Sequence, residues 1–225
     1  MREAVRGPRE VLELWASERA IRSEAWLSEL ERPRVQTKLE RDLSEAAGTR
    51  DHQGIVAWCE PFRYAEATEL VAGAVPLIAC LDQVSDPRNL GAVIRSAEGA
   101  GASGVVVPAR GSARVTAAVC RASAGAAEHL PVAVVPNLAR YLAELKRGDL
   151  WVVAATGGSG TPLWQADLSG GIAFVLGAEG KGLRPLVRRT CDLEVSIPQL
   201  GRVESLNVSV AAALLLYEAR RQRGG

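Results

Sequence analysis

Polar and charged residues gather in three loops. DQVSDPRNLGAVIRSAEGAGA at 82–102 offers Arg88, Asn89 and Arg95. GAEGKG at 177–182 carries Glu179, and PQLGRVESLN at 198–207 carries Arg202, Glu204, Ser205 and Asn207. Guanidinium, amide, hydroxyl and carboxylate groups gathered in loops can hold a polar ligand, and arginine matches phosphate with two parallel donors. Singly, each has an ordinary explanation. Asp86-Pro87 is a turn signal, Asn89 suits a helix cap, Glu179 suits a solvated loop, and Ser205 and Asn207 can satisfy nearby backbone. Two nucleotide-binding patterns fail on inspection. Gly99, Gly101 and Gly104 match G-x-G-x-x-G, but a helix precedes them and a strand follows, the reverse of the dinucleotide order. GAEGKG lacks the first glycine of a phosphate loop, where Val175 stands, and Lys181 is followed by Gly182 rather than Ser or Thr.

Short apolar runs must position these loops. They fall at 76–81, 104–107, 132–135, 151–155, 172–176 and 193–197, separated by helical segments at about 90–99, 116–126, 138–146, 183–189 and 206–220. Regular strand–helix alternation specifies an α/β fold with a parallel sheet and helices on both faces. Ligands of such sheets bind beyond the carboxyl ends of the strands, where the three loops lie. Ahead of this array, residues 1–60 read as a small, charge-dense α/β unit. There Val11, Leu12, Trp15 and Ile21 recur at helical spacing, and 54–59 reads as a strand. Residues 61–75 read as a linker with a short helical turn, and 76–225 as the main domain.

The 225-residue chain carries a net charge of +1, against a nonspecific polyanion binder but compatible with a local basic surface. Its four scattered cysteines and two histidines lack metal-site spacing, so no metal and free, mostly buried thiols are expected. No apolar run approaches the roughly 20 residues that span a bilayer, and MREAVRGPRE lacks the apolar core of a signal peptide. The expectation is a cytoplasmic protein with no membrane partner.

Together, the three loops resemble the three motifs of the SpoU (TrmH) family of RNA ribose 2'-O-methyltransferases. Asn89 and Arg95 match the first motif, Glu179 in GAEG the second, and Ser205 and Asn207 in SLNVSVA the third. The resemblance spans about 76–223 and includes 112–132 and 137–146. It implies a deep C-terminal trefoil knot, an exception to the rule against knotted chains. It also implies a homodimer and S-adenosylmethionine as cofactor. By residue-wise correspondence the catalytic set is Asn89, Arg95, Glu179, Ser205 and Asn207. The cofactor site is expected to be lined by Thr156, Gly157, Leu176, Gly177, Gly180, Ile197 and Leu206. Arg88 and Arg202 lie in the same loops and are read as RNA phosphate contacts. VRGPREVLEL at 5–14 and DHQGIVAWC at 51–59 resemble the ends of the L30e-like RNA-binding domain of a subgroup acting on a guanosine of 23S rRNA. The implied function is S-adenosylmethionine-dependent 2'-O-methylation of rRNA. The alternatives are tRNA as substrate, or a non-catalytic RNA-binding ribosome-assembly factor of the same fold.

Overall fold

The computed structural model describes residues 1–146, 150–158, 160–203 and 205–224. Glu204 of the third loop and Ser159 of the 156–160 glycine stretch lie outside the described residues. The chain divides into two compact units, Met1–Arg63 and Tyr64–Gly225.

The smaller unit contains α1 (Arg2–Arg6), β1 (Val11–Ala16), α2 (Glu18–Ser23), β2 (Val35–Thr37), α3 (Glu40–Ala47) and β3 (Ile55–Cys59). Its sheet has the order β2-β1-β3, with β1 parallel to β2 and antiparallel to β3. The helical spacing read over 11–21 is therefore overturned for its first half. Central pairing satisfies the β1 backbone on both edges, while Leu14 and Ala16 pack with Ala20, Leu27 and Ile55; tertiary context overrides a short periodic signal. The helix begins only at Glu18, after Ser17 caps it by accepting from the Ala20 N–H at 3.2 Å.

The larger unit contains β4 (Leu77–Asp82), α4 (Pro87–Gly99), β5 (Gly104–Pro108), α5 (Ala117–Ala122), β6 (Val132–Val135) and α6 (Leu138–Leu145). It continues through β7 (Leu150–Thr156), β8 (Thr161–Pro162), β9 (Gly171–Gly177), α7 (Pro185–Thr190), β10 (Leu193–Ser196) and α8 (Val208–Gln222). The seven strands run in the order β6-β5-β4-β9-β7-β10-β8, and their pairings are parallel. All six residues of β4 are buried, as a strand covered on both faces requires. Ile78 and Cys80 share a core with Leu138, Leu142 and Val187 of α6 and α7. The alternate residues Leu77, Ala79 and Leu81 point to the opposite face, where α4 and α8 pack.

Of residues 61–75, read as a linker, the stretch from Tyr64 onward belongs to this unit. The Ala65 N–H donates to the Val132 carbonyl at 2.9 Å, and Leu70 is buried in the core. The helix expected over 116–126 stops at Ala122, because Ala124 and Gly125 adopt left-handed backbone. Cys80 is buried and Cys59, Cys120 and Cys191 are half-buried, and none of the four is in a disulfide. Among the described residues no helix is long and apolar enough to cross a membrane.

The sheet has a switch point between β4 and β9. The chain leaves β4 for α4 on one face and leaves β9 for α7 on the other. At such divergences open α/β sheets carry their ligand crevice.

Candidate active site

Asp82 and Gly177 end β4 and β9 directly opposite each other. After Gly177 the chain doubles back: the Gly182 N–H donates to the Ala178 carbonyl at 2.9 Å. The approach is so close that a Cβ on Gly177 would lie 2.2 Å from the Gly182 carbonyl carbon, so no side chain fits there. One buried carboxylate then fastens the far end of the turn. Asp82 accepts from the Arg184 backbone N–H at 2.8 Å, from Nε at 2.8 Å and from Nη2 at 2.7 Å. Charge-assisted bonds of this kind are the strong ones. The turn bearing Glu179 is thus held at both ends by the terminus of β4.

Three distant segments meet above this turn. Asn89, in the first turn of α4, donates through Nδ2 to Glu179 Oε1 at 3.1 Å. Asn207 donates through Nδ2 to Asn89 Oδ1 at 2.9 Å and to the same Glu179 oxygen. Its own Oδ1 accepts from the Ser209 N–H at 2.9 Å, which caps α8. Asn207 therefore both starts the last helix and ties the third loop to the other two. A carboxylate accepting from two amides has its acceptor capacity partly spent within the protein.

A cavity of about 410 Å³ opens beside this cluster, at the carboxyl ends of β7, β9 and β10. That volume is within the range of small-molecule sites. Thr156, Gly157, Leu176, Gly177, Gly180, Ile197 and Leu206, read from sequence as cofactor residues, all line it. Glu179, Ser205 and Asn207 line it too, and Asn89 reaches it through its bonds to Glu179 and Asn207. Leu176, Val195, Ile197, Leu206 and Val208 give apolar wall, while Gly157, Gly177, Gly180 and Gly182 leave backbone exposed to an occupant. Apolar wall for a flat base, with unhindered backbone donors and acceptors around it, fits a nucleoside such as that of S-adenosylmethionine.

Arg95, Arg88 and Arg202 are not among the residues lining the cavity. Arg95 sits on α4, six residues beyond Asn89, exposed and with no hydrogen bond or ion pair among the described residues. Sequence reasoning missed Gln199, Gly182 and Val195 in the wall and the Asp82–Arg184 pair beneath it. The only signal for that pair was an acidic residue ending an apolar strand, since nothing local links positions 102 residues apart. Among the described residues no cluster of His, Cys, Asp or Glu is arranged to hold a metal.

Comparison with known proteins decides the family. The model of the SpoU rRNA Methylase family matches residues 76–217, from the start of β4 into α8. The chain belongs to the SpoU rRNA Methylase family. Its membership covers all three site loops and every strand of the larger sheet. The chain is 44% identical over 187 residues to an uncharacterized tRNA/rRNA methyltransferase of Synechocystis sp., covering 81% of this chain and only 49% of that protein. It is 43% identical over 227 residues to the 23S rRNA (guanosine-2'-O-)-methyltransferase RlmB of Bordetella pertussis, covering 97% of this chain and 92% of that one. The crystal structure of the SpoU methyltransferase AviRb from Streptomyces viridochromogenes, in complex with the cofactor AdoMet, superposes with a TM-score of 0.83 at 27% identity. That match spans 99% of this chain and 86% of AviRb.

Proposed function

We propose that this SpoU-family chain is an S-adenosylmethionine-dependent RNA 2'-O-ribose methyltransferase acting on a guanosine of 23S rRNA. The observation that carries the reading is the meeting of Asn89, Glu179 and Asn207, from three separate motifs, at the rim of the cavity. Near full-length similarity to a 23S rRNA guanosine methyltransferase supports the substrate.

When bound, S-adenosylmethionine supplies an electrophilic methyl group on a sulfonium. What remains for the chain is alignment and charge management. In this proposal Thr156, Gly157, Leu176, Gly177, Gly180, Ile197 and Leu206 bind the cofactor. Asn89, Glu179, Ser205 and Asn207 hold the loops and the ribose in register. Arg95 offers five N–H donors in a planar fork and no acceptor. It clamps the target phosphate and steadies the oxyanion that develops on the ribose oxygen. Arg88 and Arg202 extend the phosphate contacts.

The smaller unit serves as the L30e-like RNA-binding domain, and the larger unit as the methyltransferase domain. The C-terminal segment forms a trefoil knot, and the protein works as a cytoplasmic homodimer. The exposed apolar residues Val210, Leu214 and Tyr217 support the dimer, since they follow one another at helical spacing on α8.

The test is methyl transfer from radiolabelled S-adenosylmethionine, offered separately to unmodified large-subunit rRNA and to bulk tRNA, with Arg95→Ala alongside. Label in rRNA that disappears in the variant is expected. Label in tRNA alone overturns the substrate, and failure to bind S-adenosylmethionine by calorimetry overturns the enzyme.

A further inference from the structure

Four arginines on the β4–β5 side of the larger unit stand exposed without a carboxylate partner among the described residues: Arg88, Arg95, Arg110 and Arg121. Elsewhere in this unit arginines are commonly paired, as Arg140 with Glu144, Arg188 with Glu194 and Arg221 with Glu218. Arg189 and Arg220 also have no carboxylate partner among the described residues, but they stand in the last turns of α7 and α8, where the helix dipole favours a cation. Arg88 is the reverse case. It occupies the first turn of α4, where the same dipole disfavours positive charge. Placing a cation there makes sense if an anion is to be held beside it.

The fold packs the segments that bear the four against one another. Arg88 and Arg95 are seven residues apart on α4 and so project from one face, about 10 Å apart along the axis. Between them Gly91 lets α5 approach, since a Cβ there would lie 2.5 Å from the Ala122 Cβ and 2.9 Å from the Val119 carbonyl oxygen. Arg121 precedes Ala122 on this closely packed helix and is exposed. The loop bearing Arg110 is tied to the loop before α4 by the Ala113 N–H donating to the Val84 carbonyl at 2.9 Å. Arg114 braces that loop by donating to the Pro108 and Ala109 carbonyls. Two carboxylates, Asp86 and Glu98, are exposed on the same stretch, and Asp86 accepts from the Arg88 N–H as the α4 cap. Positive charge therefore prevails. Asn89, between Arg88 and Arg95 in sequence, is bonded to Glu179 and Asn207, so this surface adjoins the site.

We infer that Arg110 and Arg121, with Arg88, form a phosphate track that holds the RNA strand as it leaves the target ribose. The inference rests on the reading of RNA as substrate. A ribose methyltransferase must keep one nucleotide still, and contacts to flanking phosphates do this without reading sequence. Arginine forks suit phosphate oxygens, and each phosphate contact adds to the salt dependence of binding.

The test is binding of an unmodified large-subunit rRNA transcript by wild-type protein, Arg110→Gln, Arg121→Gln and the double variant, across a salt series. Arg140→Gln, altering a paired arginine on α6, is the control. Each track variant is expected to flatten the slope of log affinity against log salt by about 0.7–0.9, and the double variant by about twice that. Cofactor affinity and melting temperature should stay at wild-type values. Unchanged slopes, or an equal flattening in Arg140→Gln, would overturn the track while wild-type methyl transfer to the same transcript still stood. If wild-type protein neither binds nor methylates that transcript, the substrate reading fails and the track falls with it.

Discussion

The Asp82–Arg184 pair gives the sharpest test of how the site is built. Arg184→Ala removes Nε and Nη2 from a carboxylate that is 0% exposed, leaving the Arg184 backbone N–H as its one donor among the described residues. Stripping one partner from a buried pair costs about 3–5 kcal/mol, because the survivor's charge is left uncompensated. Two features reduce this. The backbone bond remains, and the Arg184 side chain is 42% exposed, so water can reach the vacated space. We expect about 2–3 kcal/mol, which for a domain of this size lowers the melting temperature by roughly 4–12 °C. The loss should also reach the cofactor, because the turn carrying Gly177, Glu179 and Gly180 would lose its far anchor. Calorimetry should show S-adenosylmethionine binding weakened about tenfold, equivalent to about 1.4 kcal/mol. Asp82→Ala and the double variant complete a cycle, in which the double should cost less than the sum of the singles. A melting point within about 1 °C of wild type, together with unchanged cofactor affinity, would refute the argument.

Further outcomes follow from other parts of the structure. Gly177→Ala should fold yet lose most S-adenosylmethionine affinity by calorimetry, since the added Cβ would collide with Gly182 backbone that cannot rotate aside; wild-type affinity would show that the turn has room. Arg95→Ala should abolish methyl transfer while leaving cofactor affinity within about twofold, because Arg95 does not line the cavity. In Arg95→Lys, a new ionisation in the lysine range of the pH–rate profile would indicate proton transfer at this position and contradict the clamp. Hydrogen bonds from Arg221, and then Gln222, hold the Glu218 carboxyl down from its ordinary 4.5 to about 2. With the folded value below the unfolded one, its contribution is complete above about pH 4.5 and is lost as pH falls toward 2. The melting-point gap between wild type and Glu218→Gln should therefore be widest near neutrality and close by about pH 2; a gap independent of pH would refute it.

Much of the larger unit was legible because its strands are buried on both faces. Runs such as IAFVL and LIACL announce such strands without any alternation, and the helices between them were found from the same spacing. The first unit was harder. VLELWA carries both a strand's β-branched and aromatic residues and a helix-like spacing, and only pairing with β2 and β3 decides between them. The stretch at 64–75 shows a related limit: it has few strong apolar residues, yet it buries Leu70 and adds a strand-like bond at Ala65.

By itself the sequence determined the residue types of the site and their order along three loops. It also determined the need for glycine where chain meets chain, and a parallel sheet that puts those loops at one end. Tertiary structure alone decided which of these residues meet. Asn89, Glu179 and Asn207 are 28 to 118 residues apart, and they bond because β4 and β9 are neighbours while α8 returns to pack on α4. It alone also separated Arg95 from the cavity wall and paired Asp82 with Arg184. Local periodicity records which face of an element is apolar. It does not record which strands become neighbours, and here that choice brings the site residues together.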